Sequence, residues 1–313
     1  MITIPGNGWL QPSVMVENFR LNSGLTSGAE SCPQHHCGAT RRYVRSLICL
    51  VATTFLLAGC LGMTATEPGP RAVATDQAGD PNSSADLIAR ARAARANGEI
   101  EVAVRLLRAA LTAAGTNPPL RIELGEALTD AGDYDQAYEA INASLQEQDP
   151  QVREAGYVAL GRLFFKLRRP SESASFFDKA LDVNPRNVRA LIGRGVALDL
   201  TGRFDQAQSS YMAALEVAPG DARAQNNLAL SHAFAGNFAR AVEIMYPMAT
   251  APNATKRLRQ NLALIYGLMG NGELAASISR RDLDEETVQN NLRFYEVLRR
   301  MPNPAEALAG MGG

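Results

Sequence analysis

Five segments of the chain align with one another: "ANGEIEVAVRLLRAAL", "AGDYDQAYEAINASL", "TGRFDQAQSSYMAAL", "AGNFARAVEIMYPMA" and "MGNGELAASISRRDL". Gly98, Gly132, Gly202, Gly236 and Gly270 coincide, as do Ala103, Ala137, Ala207, Ala241 and Ala275, and successive glycines lie 34, 70, 34 and 34 residues apart. The interval of 70 holds one further unit, "LRRPSESASFFDKALDVNP", with Arg168 at the glycine position and Ser173 at the alanine position. A two-residue insertion falls near Asp149-Pro150. A constant period over six units leaves little freedom of fold: each unit is one supersecondary element, and neighbours must stack to bury their faces.

Each unit predicts a helical hairpin. The glycine ends a first helix in the left-handed conformation that lacks a Cβ penalty. An aromatic or aliphatic residue follows two positions later (Ile100, Tyr134, Phe204, Phe238), and the small alanine lets the second helix cross closely. The second helix carries apolar residues at helical spacing, as in Ala207, Tyr211, Ala214 and Leu215. Pro150, Pro185, Pro219 and Pro252 are read as its stops.

The 34-residue unit resembles the tetratricopeptide repeat. The resemblance implies an all-α, right-handed superhelical solenoid of about six hairpins over 85–284. "EETVQNNLRFYEVLRRM" then reads as a capping helix over 285–301, and 302–313 as a disordered tail.

Upstream lies a different kind of sequence. The run "SLICLVATTFLLAGC" could be a membrane span, a buried helix or a segment that is cut away. Leu47–Gly59 as a helix reaches roughly 20 Å, short of the ~30 Å hydrocarbon core. The segment on its C-terminal side is rich in Pro, Gly, Thr and Asp and offers no core for a buried helix. Arg41, Arg42 and Arg45 before an apolar h-region fit a secretory signal. Leu57, Ala58, Gly59 and Cys60 resemble a bacterial lipobox, which implies cleavage before Cys60 and lipidation of its sulfur. The expected divisions are 1–46 as extension and n-region, 47–59 as h-region and lipobox, and 60–84 as lipidated cysteine and linker. The forty-odd residues ahead of the run suit either a translation start further downstream or a long leader.

Removal of 1–59 takes away four arginines and two glutamates and shifts the formal charge from −1 to −3, too mild to imply a nucleic-acid partner. It also removes Cys32, Cys37 and Cys49, so Cys60 alone remains and no disulfide forms. "CPQHHC", Cys32–Cys37, could bind a metal, but no folded loop separates the ligand pairs, and the incidental reading is preferred.

Nothing points to catalysis. His232, the one histidine downstream of Cys60, sits where a repeat places a packing residue, and no phosphate loop, zinc ligand set or nucleophile elbow occurs. No cofactor is expected beyond the covalent lipid on Cys60. Binding is the expected activity, along the face built by the first helices. In the repeat register, the positions resembling ligand-facing ones place Arg189, Arg223 and Arg257 in a ladder, with Asn226, Gln260, Leu230 and Leu264 beside it. Val158, Arg162 and Phe165 take equivalent places in the third unit. Guanidinium forks favour carboxylates, so an acidic partner segment or a free C-terminus would suit the ladder. The competing reading has these arginines solvated or paired with nearby acids.

The ending "RQNLALIYGLMGNGELAASISRRDLDEETVQNNLRFYEVLRRM" sets the chain apart from generic repeats. An Asn-Leu-Ala-Leu helix, a basic pair with Asp-Leu, and a closing helix with Asn and Tyr resemble the TadD family of lipoproteins in Flp (tight adherence, type IVc) pilus assembly. That resemblance implies a periplasm-facing protein on the inner leaflet of the outer membrane. Its implied partners are components of the pilus secretion apparatus, the secretin or the pilus assembly subunits. Leu61 is not the Asp that commonly retains lipoproteins at the inner membrane. The alternative is an adaptor for another envelope machine, serving outer-membrane protein insertion, peptidoglycan enzymes or polysaccharide export. The glycine-less third unit, with Arg168 and Pro170 at its turn, departs from the pattern.

Overall fold

The computed structural model describes residues 83–310, all helix, turn and loop, with no strand among them. The signal run, the lipobox residues, Cys60, "CPQHHC" and nearly all of the linker therefore lie outside the described residues. Six hairpins succeed one another: α1 (Ser84–Ala96) with α2 (Ile100–Ala114), α3 (Pro118–Ala131) with α4 (Tyr134–Asn142), and α5 (Pro150–Lys166) with α6 (Pro170–Val183). Then come α7 (Val188–Leu200) with α8 (Phe204–Val217), α9 (Ala222–Phe234) with α10 (Phe238–Thr250), and α11 (Lys256–Met269) with α12 (Gly272–Ser279). Two more helices close the described residues, α13 (Glu285–Arg299) and α14 (Pro304–Gly310).

The two helices of a unit begin differently. Every first helix has a side-chain N-cap: Ser83, Asn117, Asp149, Asn187, Asp221 and Thr255 each accept from an amide in the first turn, as Asp284 does for α13. Such caps satisfy amides that the helix cannot. The second helices α2, α4, α6, α8 and α10 have no side-chain cap. Only α12, capped by Asn271, differs.

The turn depends on one left-handed residue. Gly132 at φ 84° and Gly270 at φ 91° supply it cheaply. In the third unit Arg168 adopts the same region at φ 57°, so the turn survives without glycine and α5 still packs along α6. A side chain in that region costs roughly 1–2 kcal/mol.

One expected stop is a start. Pro150 is the first residue of α5, behind the Asp149 cap, and the preceding α4 already ends at Asn142 in a 3-10 turn, Ala143–Gln146. Proline is well placed there because its missing N–H would have had no partner.

Stacking is solenoid-like. Each second helix packs on its own first helix and on the first helix of the next unit, and from α3 onward each first helix also packs on the next one. Ala103, Ala137, Ala207, Ala241 and Ala275 are all fully buried at these crossings. In the third unit Ser173 replaces alanine and donates its hydroxyl to the Gly161 carbonyl at 2.7 Å. Glycines inside first helices receive aromatic rings: Phe177 lies between Gly161 and Gly193, Tyr211 against Gly195, and Tyr295 against Gly267. One buried cluster runs from Leu87 to Leu163, and another from Leu191 to Leu308.

The tail differs from expectation. Residues 304–310 form α14, which packs on α7, with Ala305 and Leu308 buried. The segment is held because Pro304, Ala305 and Leu308 find a site on the array, which no local pattern encodes.

Candidate protein-binding groove

The first-helix face carries polar groups of two kinds. Toward its start, α1, α3, α5 and α7 contribute to one ion network. Glu126 of α3 accepts from Arg95 at 3.1 Å, Arg162 at 2.7 Å and Arg189 at 3.1 Å. Asp130, one turn later on α3, pairs with Arg95 at 2.6 Å and Arg162 at 3.7 Å. Burial would raise the Glu126 carboxyl, but the surrounding guanidiniums of Arg162, Arg189 and Arg95 win and hold it at about 2. Three cations against two anions leave one positive charge in excess. Its most open member is Arg189, 53% exposed, whereas Arg162 is only 8% exposed.

Between α7 and α11 the fully buried polar groups are neutral or uncompensated. Asp199 of α7 is buried, accepting from the Tyr211 hydroxyl at 2.8 Å and the Ser231 hydroxyl at 2.6 Å. Desolvation without a cation pushes its carboxyl up to about 7, against the two hydroxyl bonds that pull it down. Asn261 of α11 donates to Asn226 of α9 at 2.6 Å, and Ser279 donates to Gln260 at 3.4 Å.

The expected ligand residues thus divide. Arg189, Arg223 and Arg257 are the second residues of α7, α9 and α11 and do share one register. Arg189 is tied to Glu126, and Arg223 spends its Nε and Nη2 on the cap residue Asp221, at 3.3 and 2.7 Å. Arg257 is exposed. Arg162 belongs to the ion network. Asn226, Gln260, Leu230, Leu264 and Val158 are buried rather than open, and Phe165 is half-buried against the core. They are internal because α5, α7, α9 and α11 each have helices packed on several sides, including the next first helix. Sequence reading missed Glu126, Asp130, Arg95 and Asp199. The signal was there, since acids on one first helix and arginines at matching height on its neighbours read as a cross-repeat pair, but only if the register is known to within one turn.

His232 is half-buried on α9, and desolvation together with nearby Arg240 lowers its pKa, which keeps the ring neutral near pH 7. The Asp-Leu of the distinctive ending has a structural task. Asp282 accepts from Arg259 Nε and Nη2, both at 2.6 Å, and ties the start of α11 to the loop before α13. No group of His, Cys, Asp and Glu suited to a metal occurs among the described residues.

Stacked helix-turn-helix units with a left-handed turn residue and a small residue at each crossing make up the tetratricopeptide-repeat fold. Tetratricopeptide repeat models match residues 94–156 and, with a second model, 158–207 and 201–246. A tetratricopeptide repeat protein from Parabacteroides merdae superposes with a TM-score of 0.53 at 21% identity, covering 71% of this chain and 87% of that one. PilW, whose structure is described as that of a widely conserved type IV pilus biogenesis factor, gives 0.56 at 20% identity, covering 67% and 98%. Both likenesses are of fold. Among curated proteins, the uncharacterized protein y4yS of Sinorhizobium fredii is 35% identical over 72 residues, 23% of this chain. The match spans only 38% of that relative's length.

Proposed function

We propose that the protein is a non-catalytic adaptor lipoprotein of the TadD type. It faces the periplasm from the inner leaflet of the outer membrane, and it binds components of the Flp pilus secretion apparatus, the secretin foremost. The observation that carries the adaptor reading is the row of first helices from α3 to α13, each packed on the next, which gives an extended or helical partner one continuous side to follow. The pilus reading is supported by the resemblance of the closing sequence to that family, and PilW, of the same fold, is described as a pilus biogenesis factor. Lipid on Cys60 supplies the anchor. Several acyl chains hold a protein stably where one chain binds marginally.

Crosslinking in the native envelope, with photoreactive residues at 189, 223 and 257, tests the reading. Secretin or pilus assembly subunits should be recovered. Recovery of only outer-membrane insertion, peptidoglycan or polysaccharide-export proteins would move the adaptor to another machine. Exchange of Arg189, Arg223 and Arg257 together for Glu should abolish capture while helicity is kept, and undiminished capture would remove the arginines from the site. Cys60→Ala should abolish palmitate labelling and release the protein from membranes. Trp9 is the only tryptophan, so envelope-purified protein should lack indole fluorescence.

A further inference from the structure

The short helix α14 is held by its own capping chemistry and by the buried side chains of Pro304, Ala305 and Leu308. Asn303 donates to the Leu200 carbonyl at 3.0 Å and the Asp199 carbonyl at 3.4 Å, at the C-terminal end of α7. Its carbonyl oxygen accepts from the amides of Ala305 at 3.1 Å and Glu306 at 3.3 Å. One side chain therefore caps the end of α7 and the start of α14 together, groups that neither helix can satisfy alone. Ala305 and Leu308 are buried in the same cluster as Leu191, Leu228, Leu230 and Phe234, while Glu306 faces out.

Three features make this helix an occupant rather than a beam. It has seven residues, too few to be helical by itself, so its form depends on the surface beneath it. It is connected to α13 by only four residues, 300–303, yet it lies on α7, two units back from α11, on which α13 packs. In the row α9 stands between them, so the connection passes the α9 position. And its contribution to the core is small, the buried Pro304, Ala305 and Leu308 with Ala307 half-buried beside them, a small cooperative unit of the kind that opens first.

We propose that the surface of α7 covered by α14 is the protein's partner-binding surface, with α14 as its resident occupant. The partner it fits is a short helical segment of the same chemistry, an asparagine-type cap followed by alanine and leucine three residues apart. This deepens the adaptor reading above, but its test does not depend on which machine the protein serves. The occupant is tethered, so its effective concentration is high and a free segment competes poorly until the helix is released.

The probe is the labelled peptide MPNPAEALAG, residues 301–310, titrated by fluorescence anisotropy against the full chain and two full-length variants. Leu308→Asp removes the apolar anchor, and Asn303→Ala removes the shared cap. Both variants should bind the peptide at least tenfold more tightly than the unaltered chain, with unchanged circular dichroism. A peptide carrying Leu308→Asp should not bind, and hydrogen exchange at the end of α7 should rise in the variants and fall again with peptide. Failure of both variants to capture the peptide, or loss of helicity throughout the array in both, would make α14 a permanent part of the fold and overturn the proposal. Because no pilus component enters this measurement, its failure leaves the envelope crosslinking result standing, and the reverse holds too.

Discussion

Between α1 and α7 the first helices are joined by Arg95, Arg162 and Arg189 gathered on Glu126 and Asp130. Between α7 and α11 the joints are Asp199 with Tyr211 and Ser231, and Asn226 with Asn261. The repeat is the same in both regions, and so is the burial problem of polar groups between stacked helices. The first region answers with opposite charges and the second with hydroxyls and amides. The comparison teaches that a repeat fixes where helices meet but not the chemistry of the meeting. It also gives the two regions opposite responses to pH.

The largest expected effect comes from the charged joint. Glu126→Ala leaves Arg162 and Arg95 buried with one acid fewer, and breaking such a pair costs about 3–5 kcal/mol. A urea melt should show it, with hydrogen exchange accelerated over α1, α3 and α5 before α9. The same carboxylate sets an acid limit. Its folded pKa of about 2 lies below the ordinary 4.5, so its contribution is complete above 4.5 and is lost as pH falls toward 2.

Asp199 works the other way. Its folded pKa of about 7 lies above the ordinary 3.8, so the folded state holds the proton more tightly between these values. Stability in the second region therefore declines as pH rises from about 4 through 7. Asp199→Asn keeps the shape and removes the charge, and should stabilise the protein at pH 8 by roughly 2–4 kcal/mol, with little change at about pH 4. Equal melting shifts at both pH values would show that Asp199 is not titrating in this range.

A smaller loss is expected where helices meet over glycine. A Cβ at Gly193 would overlap the Phe177 ring, which cannot retreat because Gly161 receives its other side. Gly193→Ala should cost about 1–2 kcal/mol net of the gain in helix propensity. The effect should fall at the junction of the two regions and speed exchange in both. The smallest is a gain. Arg168→Gly relieves the left-handed side chain at the third turn and should raise stability by about 1 kcal/mol, readable as a higher melting midpoint.

The turns were legible because a left-handed residue needs glycine, and five of six units supply one. The sixth was legible from its neighbours, since Ser173 and Arg168 fall on the same period. The candidate site was far less so. Asn226, Leu230 and Leu264 occupy positions that the resemblance marks as ligand-facing, yet they are buried. Arg223 looks free in the sequence but closes onto Asp221, two residues away. The side-chain caps of the first helices stood in plain view as Ser, Asn, Asp and Thr, and marked the helix starts better than Pro150 did.

What the chain's sequence determined alone is its period, the two-helix unit and the six-fold repetition, because these rest on contacts within about 34 residues and on backbone preferences that act locally. The tertiary structure alone decided that Glu126 would draw arginines from three other helices, that Asp199 would be buried without a cation, and that residues 304–310 would return to α7. Each of these depends on what stands beside a residue one or more units away, and no pattern within a single unit carries that information.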